Sequence, residues 1–270
     1  MESALEEIEF LALSENRVDA LALLAEGRRT RGELAEATGA SQATLGRILR
    51  DFEERSWIGR DGDAYAATAT GRLVAAGVTD LREILEAELR LREVVDYLPT
   101  QAMDVDLRRL ADATITQPTQ MRPNAPLSRL LELLREGEDV RTFSHAFNEQ
   151  TLTVVENRTA AGEQRFEGVF SRRAIDALAG ESALRDRLRS LVASDRAELR
   201  VRDEGVPIAV MIVDDVVCLL LRDDSGVLRA AIDTDDPAVR SWARDTYEDY
   251  WQAADPLEAD AFDSESDSTN

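Results

Sequence analysis

Lysine is absent from this chain of 270 residues, and every one of its 32 basic residues is an arginine. Cysteine occurs once, as Cys218, which excludes an internal disulfide and a zinc site built from cysteines. Cys218 sits inside the apolar run Val216 to Leu221 and reads as a small core residue. Histidine also occurs once, as His145, so no histidine cluster can hold a metal. No apolar run is long enough to span a bilayer. The first ten residues, MESALEEIEF, are acidic and lack the basic start of a secretory signal. The expectation is a cytoplasmic protein without metal, cofactor or membrane partner. No glycine-rich phosphate loop and no serine nucleophile paired with a histidine is present either.

What the chain has in excess is carboxylate. Its 54 acidic residues against 32 arginines give a net charge of −22. Such a surface repels nucleic acid, so the distribution of charge matters more than the sum. Between Gly27 and Arg72 stand eight arginines and seven acids, a net +1, and the other residues together carry −23. One stretch is spared the acid.

That stretch contains the segment RGELAEATGASQATLGRILR, Arg31 to Arg50. Leu34, Ala40, Leu45 and Ile48 are spaced as the core of a helix-turn-helix, with small Ala35 at the helix crossing. Gly39 supplies the positive φ of the turn. Ser41 is placed to cap the second helix, predicted over Gln42 to Arg55. Leu45, Ile48, Leu49 and Phe52 form its inner stripe at i, i+3, i+4, i+7. The other face carries Ala43, Arg47 and Arg50, flanked by Gln42, Thr44 and Gly46. In DNA readers this helix enters the major groove. Gln42 and Arg47 are the side-chain types that suit adenine and guanine edges. After it, Trp57 to Ala67 reads as a β-hairpin, a wing that brings Arg60 to a phosphate or the minor groove. The candidate DNA-binding residues are therefore Ser41, Gln42, Ala43, Thr44, Arg47, Arg50 and Arg60. The partners expected are double-stranded DNA and a second copy of the chain. The alternative is an interaction module whose winged helix docks protein.

The pattern implies an α+β protein in four parts: a winged helix-turn-helix over 1–78, a linker or dimerisation helix over 79–100, an α/β effector domain over 101–254 and an acidic disordered tail over 255–270. A short helix Arg72 to Ala76 precedes a long one, Thr79 to Leu98, whose apolar positions run from Leu81 to Leu98 and suit a dimer contact. A helix over Leu127 to Gly137, strands at Asp139 to His145 and Arg165 to Phe170, and helices at Asn148 to Asn157, Ser171 to Leu178 and Ala183 to Ala193 follow. Glu198 to Arg202, Ile208 to Val213, Val216 to Leu221 and Val227 to Ile232 are read as strands of one antiparallel meander. Asp236-Pro237 opens a closing helix.

This order, ending in IVDDVVCLLLRDDSGVLRAAIDTDDPAV, resembles haloarchaeal winged-helix transcriptional regulators. Their second domain is similar to the effector domain of the archaeal methanogenesis and filamentation regulator and, distantly, to TrmB-type sugar sensors. The acidic, lysine-free surface fits that resemblance. At molar salt the Debye length is about 3 Å, so an acidic chain can approach DNA. The resemblance implies transcriptional regulation and a mixed sheet related to phospholipase D-like domains. That enzyme family's chemistry needs a His-x-Lys pair, but His145 is followed by Ala146 and Phe147. The domain is therefore expected to be non-catalytic. His145 and Arg173 remain as candidate contacts for a small-molecule effector, against the alternative of a hydrogen-bonded structural histidine and a solvated arginine.

Overall fold

The computed structural model describes residues 3–262. The chain divides into two compact units, Met1–Leu89 and Arg90–Asn270. The first contains α1 (Ala4–Ala12), α2 (Glu15–Glu26), β1 (Arg29–Thr30), α3 (Arg31–Thr38), α4 (Gln42–Glu54), β2 (Ile58–Asp61), β3 (Ala64–Ala67) and most of α5 (Ala69–Leu91). A small antiparallel sheet in the order β1-β3-β2 includes the expected hairpin. The strand β1 stands where the spacing of the helix-turn-helix would allow its first helix to begin at Arg28. Thr30 explains it. Its backbone N–H donates to the Glu33 carboxylate at 2.7 Å while its hydroxyl accepts from the Glu33 N–H. This reciprocal cap starts the helix at Arg31 and leaves Arg29 and Thr30 extended. The bond from the Thr30 backbone N–H, followed by one the Thr30 hydroxyl donates to the same carboxylate at 2.9 Å, holds Glu33 below the usual carboxylate range.

The core of this unit is the predicted stripe of α4, with Leu21, Leu24 and Leu34 packed against it. Phe10 lies between two guanidinium groups, Arg17 at 4.0 Å and Arg55 at 3.9 Å from its ring centre. Arg55 also binds Glu7 at 2.7 Å, so α1 is tied to α4 by charge as well as by the Phe10–Phe52–Trp57 cluster.

One helix replaces the expected pair. No break occurs at Gly77, and α5 ends at Leu91 instead of Leu98. The apolar stripe divides for that reason. Leu81, Ile84, Leu85 and Leu89 are 41–61% exposed, whereas Leu91, Val94 and Leu98 are buried in the second unit's core.

The second unit is built on an eight-stranded mixed sheet in the order β11-β7-β6-β5-β8-β9-β10-β4. Its strands are β4 (Thr114–Thr116), β5 (Asp139–Ser144), β6 (Arg165–Ser171), β7 (Ala197–Arg202), β8 (Ala209–Val213), β9 (Val216–Arg222), β10 (Leu228–Thr234) and β11 (Asp255–Pro256). β5, β6 and β7 are parallel, joined by α7 (Glu149–Ala160), then α8 (Arg172–Ala179) and α9 (Ser182–Val192). With α6 (Ala125–Glu136), these helices supply one core. The other core lies on the opposite sheet face, under α10 (Pro237–Gln252) and residues 91–113. Side chains alternate accordingly: Met211 and Val213 join the first core, Val210 and Ile212 the second.

Two expectations fail here. The meander holds for β8, β9 and β10, but β7 lies beyond β5 and β6 and is parallel to β6. Leu199 and Val201 share one face of β7 and are buried in the first core, and the strand is flanked by β6 and β11. The acidic tail is ordered at its start. Asp255 and Pro256 pair with β7, the Leu257 N–H donates to Leu199 at 2.8 Å, and Leu257 and Phe262 are buried. The remainder of the predicted tail, 263–270, lies outside the described residues. Cys218 is fully buried, as expected, and burial together with nearby Asp233 pushes its thiol up to about 12.

Gly71 is the tightest position of the first unit. A Cβ there would lie 1.8 Å from the Trp57 carbonyl oxygen, whereas nothing lies within 4 Å of a Cβ at Gly77. Gly71→Ala should destabilise the unit by about 2–3 kcal/mol. Gly77→Ala should stabilise it by about 0.5–1 kcal/mol through helix propensity. Urea titration of both variants, followed by circular dichroism, checks the opposite signs.

Candidate nucleic-acid interface

The predicted site residues sit on two elements of the first unit. α4 presents Ala43, Gly46, Arg47 and Arg50 at i, i+3, i+4, i+7, opposite its buried stripe of Leu45, Ile48, Leu49 and Phe52. Gln42, Ala43, Arg47 and Arg50 are exposed. Gly39, at φ +69°, ends α3 and aims the chain into α4. Ser41 caps α4: its hydroxyl accepts the Thr44 N–H at 3.1 Å and lies 2.9 Å from the Thr44 hydroxyl. Ser41 and Thr44 are thus engaged with each other, and the face is left to Gln42, Ala43 and the arginines.

Arg60 is on β2, separated from α4 by the turn at Ser56 and Trp57. Its Nε donates to the Gly62 carbonyl at 2.9 Å and its guanidinium lies over Tyr65, 5.5 Å from the ring centre. Trp57 and Ile58 are buried, so the hairpin is fastened by its first residues while its turn is exposed.

Charge pairing separates these arginines from most others. Among the described residues, Arg31, Arg47 and Arg50 have no carboxylate partner, and Arg29, Arg60 and Arg72 bond only backbone carbonyls. Arg31 was not among the residues predicted from sequence. A Cβ on Gly46 would lie 3.4 Å from the Arg31 Nη1, which places Arg31 against the exposed face of α4. Its signal was the net positive stretch itself. What pattern reading missed is that the first residue of α3 folds onto α4. Arg28, by contrast, is paired with Asp61 on the wing.

The two candidate effector contacts, His145 and Arg173, come together in the second unit. They line one cavity of about 970 Å³ with Phe147, Ser171, Arg172 and Arg222. Arg222, which the sequence placed only at a strand end, was missed. Burial, then the charge of Arg222, lowers the His145 pKa.

Residues 5–90 match the family model described as HVO_A0261 N-terminal domain, and residues 123–253 match that of the methanogenesis regulatory protein FilR1, middle domain. No curated protein matches the chain. Among solved structures, TrmBL2, an archaeal chromatin protein described as showing a novel mode of DNA binding, is 17% identical over 94% of this chain and 100% of its own, with a TM-score of 0.40. A phospholipase D family member, Nuc from Salmonella typhimurium, is 12% identical over 54% of this chain and 99% of its own, with a TM-score of 0.43. NucT from Helicobacter pylori is 11% identical over 54% and 99%, with a TM-score of 0.41.

Capping and base contact are separable at the start of α4. Ser41→Ala should cost about 1 kcal/mol of unfolding free energy, because it removes the cap. Gln42→Ala should stay within about 0.5 kcal/mol of the parent, as expected at an exposed position. Chemical denaturation of the two variants distinguishes these roles.

Proposed function

We propose that this chain, whose second unit is similar to the middle domain of the methanogenesis regulatory protein FilR1, is a transcriptional regulator that reads double-stranded DNA with α4 and the β2–β3 wing. The observation that carries this reading is the set of arginines without acidic partners on the exposed side of α4 and around the wing. In a chain of net charge −22 an unpaired guanidinium is conspicuous. Phosphates would supply the missing anions, and the small Ala43 and Gly46 leave room for close approach to base edges. Gln42, Ala43, Arg47, Arg50 and Arg60 form the contacting face of the proposed interface, with the mutually bonded Ser41 and Thr44 at its edge and Arg31 extending it.

The same reading makes the protein a homodimer. Leu81, Ile84, Leu85 and Leu89 recur at i, i+3, i+4, i+8 along α5 and are exposed. Arginine and glutamate flank them, as Arg82 and Glu86 do. The same stripe on a second copy would cover it and set two recognition helices at a fixed spacing. The second unit then serves for sensing or assembly and is not a catalyst. Support comes from its chemistry: His145 is the chain's one histidine and has no lysine beside it.

Arg47→Ala should cost about 1–3 kcal/mol of affinity at one base position if the residue reads guanine, and a uniform loss across sequences would make it a phosphate contact. Chromatin occupancy of the native protein and of the Arg47→Ala, Arg50→Ala double variant tests the whole proposal. Peaks over a shared palindrome that vanish in the variant are expected. Absence of any enrichment for the native protein would sink it. Sedimentation velocity should give a dimer for the parent and a monomer for Leu81→Glu, Leu85→Glu.

A further inference from the structure

The strand order creates a crevice in the second unit. After β7 the chain passes over the carboxyl ends of β6 and β5 before it enters β8. The loop that makes this passage contributes Gly205 and Val206 to the 970 Å³ cavity. In open sheets with parallel strands, ligands gather at the carboxyl ends of those strands, and the volume is that of a small-molecule site. The hairpin between β9 and β10 borders the crevice on the other side through Arg222, Ser225 and Gly226.

The interior of this crevice is pre-arranged. The Ser144 hydroxyl donates to the Ala146 carbonyl at 2.7 Å and accepts the Ala146 N–H at 3.1 Å, which fixes the turn that carries His145. The Ser171 hydroxyl donates to the His145 carbonyl at 3.4 Å and accepts the Ala174 N–H, joining that turn to the start of α8. Phe147 stacks on Phe170 with ring centres 4.4 Å apart. These bonds and the ring stack hold the turn of His145 in place before any ligand arrives.

Within it, hydrogen-bonding capacity is left over. His145 Nδ1 and Arg222 Nε are buried without a partner among the described residues, and both side chains line this cavity. Buried polar atoms are nearly always paired; unpaired arginine Nε atoms recur elsewhere in the chain, as at Arg17 and Arg240, so the His145 Nδ1 is the atom here that points to a missing partner. Arg222 is half-buried and, among the described residues, bonds the Gly226 carbonyl, while Arg173 is exposed at the same cavity and makes no ion pair within 4 Å. Arg172 is held by Asp203 at 3.0 Å and Asp223 by Arg229 at 2.7 Å. Asp176 and Asp224 remain as exposed carboxylates at the rim. His145 and Arg222 are half-buried, deeper than the exposed Arg173, Asp176 and Asp224 around them, so the cationic donors converge from the cavity wall and its rim.

We propose that this crevice binds a small ligand through a single oxyanion, a carboxylate or a phosphate monoester, received by Arg222, Arg173 and the imidazole of His145. This site goes beyond the DNA-reading proposal and does not depend on it.

Because His145 is the chain's one histidine, labelling with [13Cε1]-histidine gives the full-length protein a single reporter inside the site. Its titration is followed in chloride, then in sulfate or acetate at equal ionic strength. In chloride the midpoint should lie below 6.5, since burial and Arg222 disfavour the imidazolium. An anion seated beside it favours the charged ring, so the midpoint should rise by about one pH unit. A response to sulfate identifies a tetrahedral phosphate-like ligand, and a response to acetate a carboxylate. Arg222→Gln and Arg173→Ala should each reduce the response. The proposal is overturned if neither anion moves the resonance or its midpoint, or if the response survives unchanged in both variants.

Discussion

Mutual repulsion of carboxylates is the constraint under which every part of this chain is arranged. With lysine absent, only guanidinium groups can relieve it, and in the second unit they do so in specific geometry. Arg129 grips Asp233 with two bonds, at 2.8 and 3.1 Å, where the carboxylate is only 6% exposed. Arg141 and Arg165 converge on Glu167, which also accepts from the Tyr247 hydroxyl. Burial pushes Glu167 up, but the Arg165 bond and charge, with Arg141 and Tyr247, hold it below the usual range. Arg240 and Arg244 share Asp215. Exposed pairs of this kind add little stability individually. Their importance is the contrast they create with guanidiniums left without acid, of which those around α4, the wing and the crevice are clustered.

Much of the first unit was legible because its determinants are local. The spacing of Leu34, Ala40, Leu45 and Ile48, the turn at Gly39 and the cap at Ser41 lie within twenty residues of one another, and each has a local physical cause. The site was legible to the same depth. Gln42, Ala43, Arg47 and Arg50 are exposed on one face because the opposite stripe is apolar. Arg31 was not legible, since its approach to Gly46 depends on how two helices cross.

The second unit was legible as elements and not as an order. Strands β5 to β10 announced themselves by composition, but sheet neighbours are decided by non-local pairing. Loop length misled as well. The short connection before β8 reads as a hairpin, yet it spans two strands. The tail misled for a different reason: its acidic composition hides Leu257 and Phe262, two apolar anchors sufficient to hold it against the core. His145 and Arg173 were singled out separately, and the fold joins them through Arg222, a residue with no distinctive sequence context.

The absence of a side chain at Gly71 has a mechanical consequence. With the helix backbone pressed against the Trp57 carbonyl, and the Thr68 N–H and hydroxyl both bonded to that same oxygen, there is no slack between α5 and the strand that leads into the wing. A rotation of α5 about its axis must carry Trp57 with it. The first turn of the long helix and the strand that opens the wing therefore form one packed joint, and a turn of the helix at that joint reaches the hairpin through Trp57.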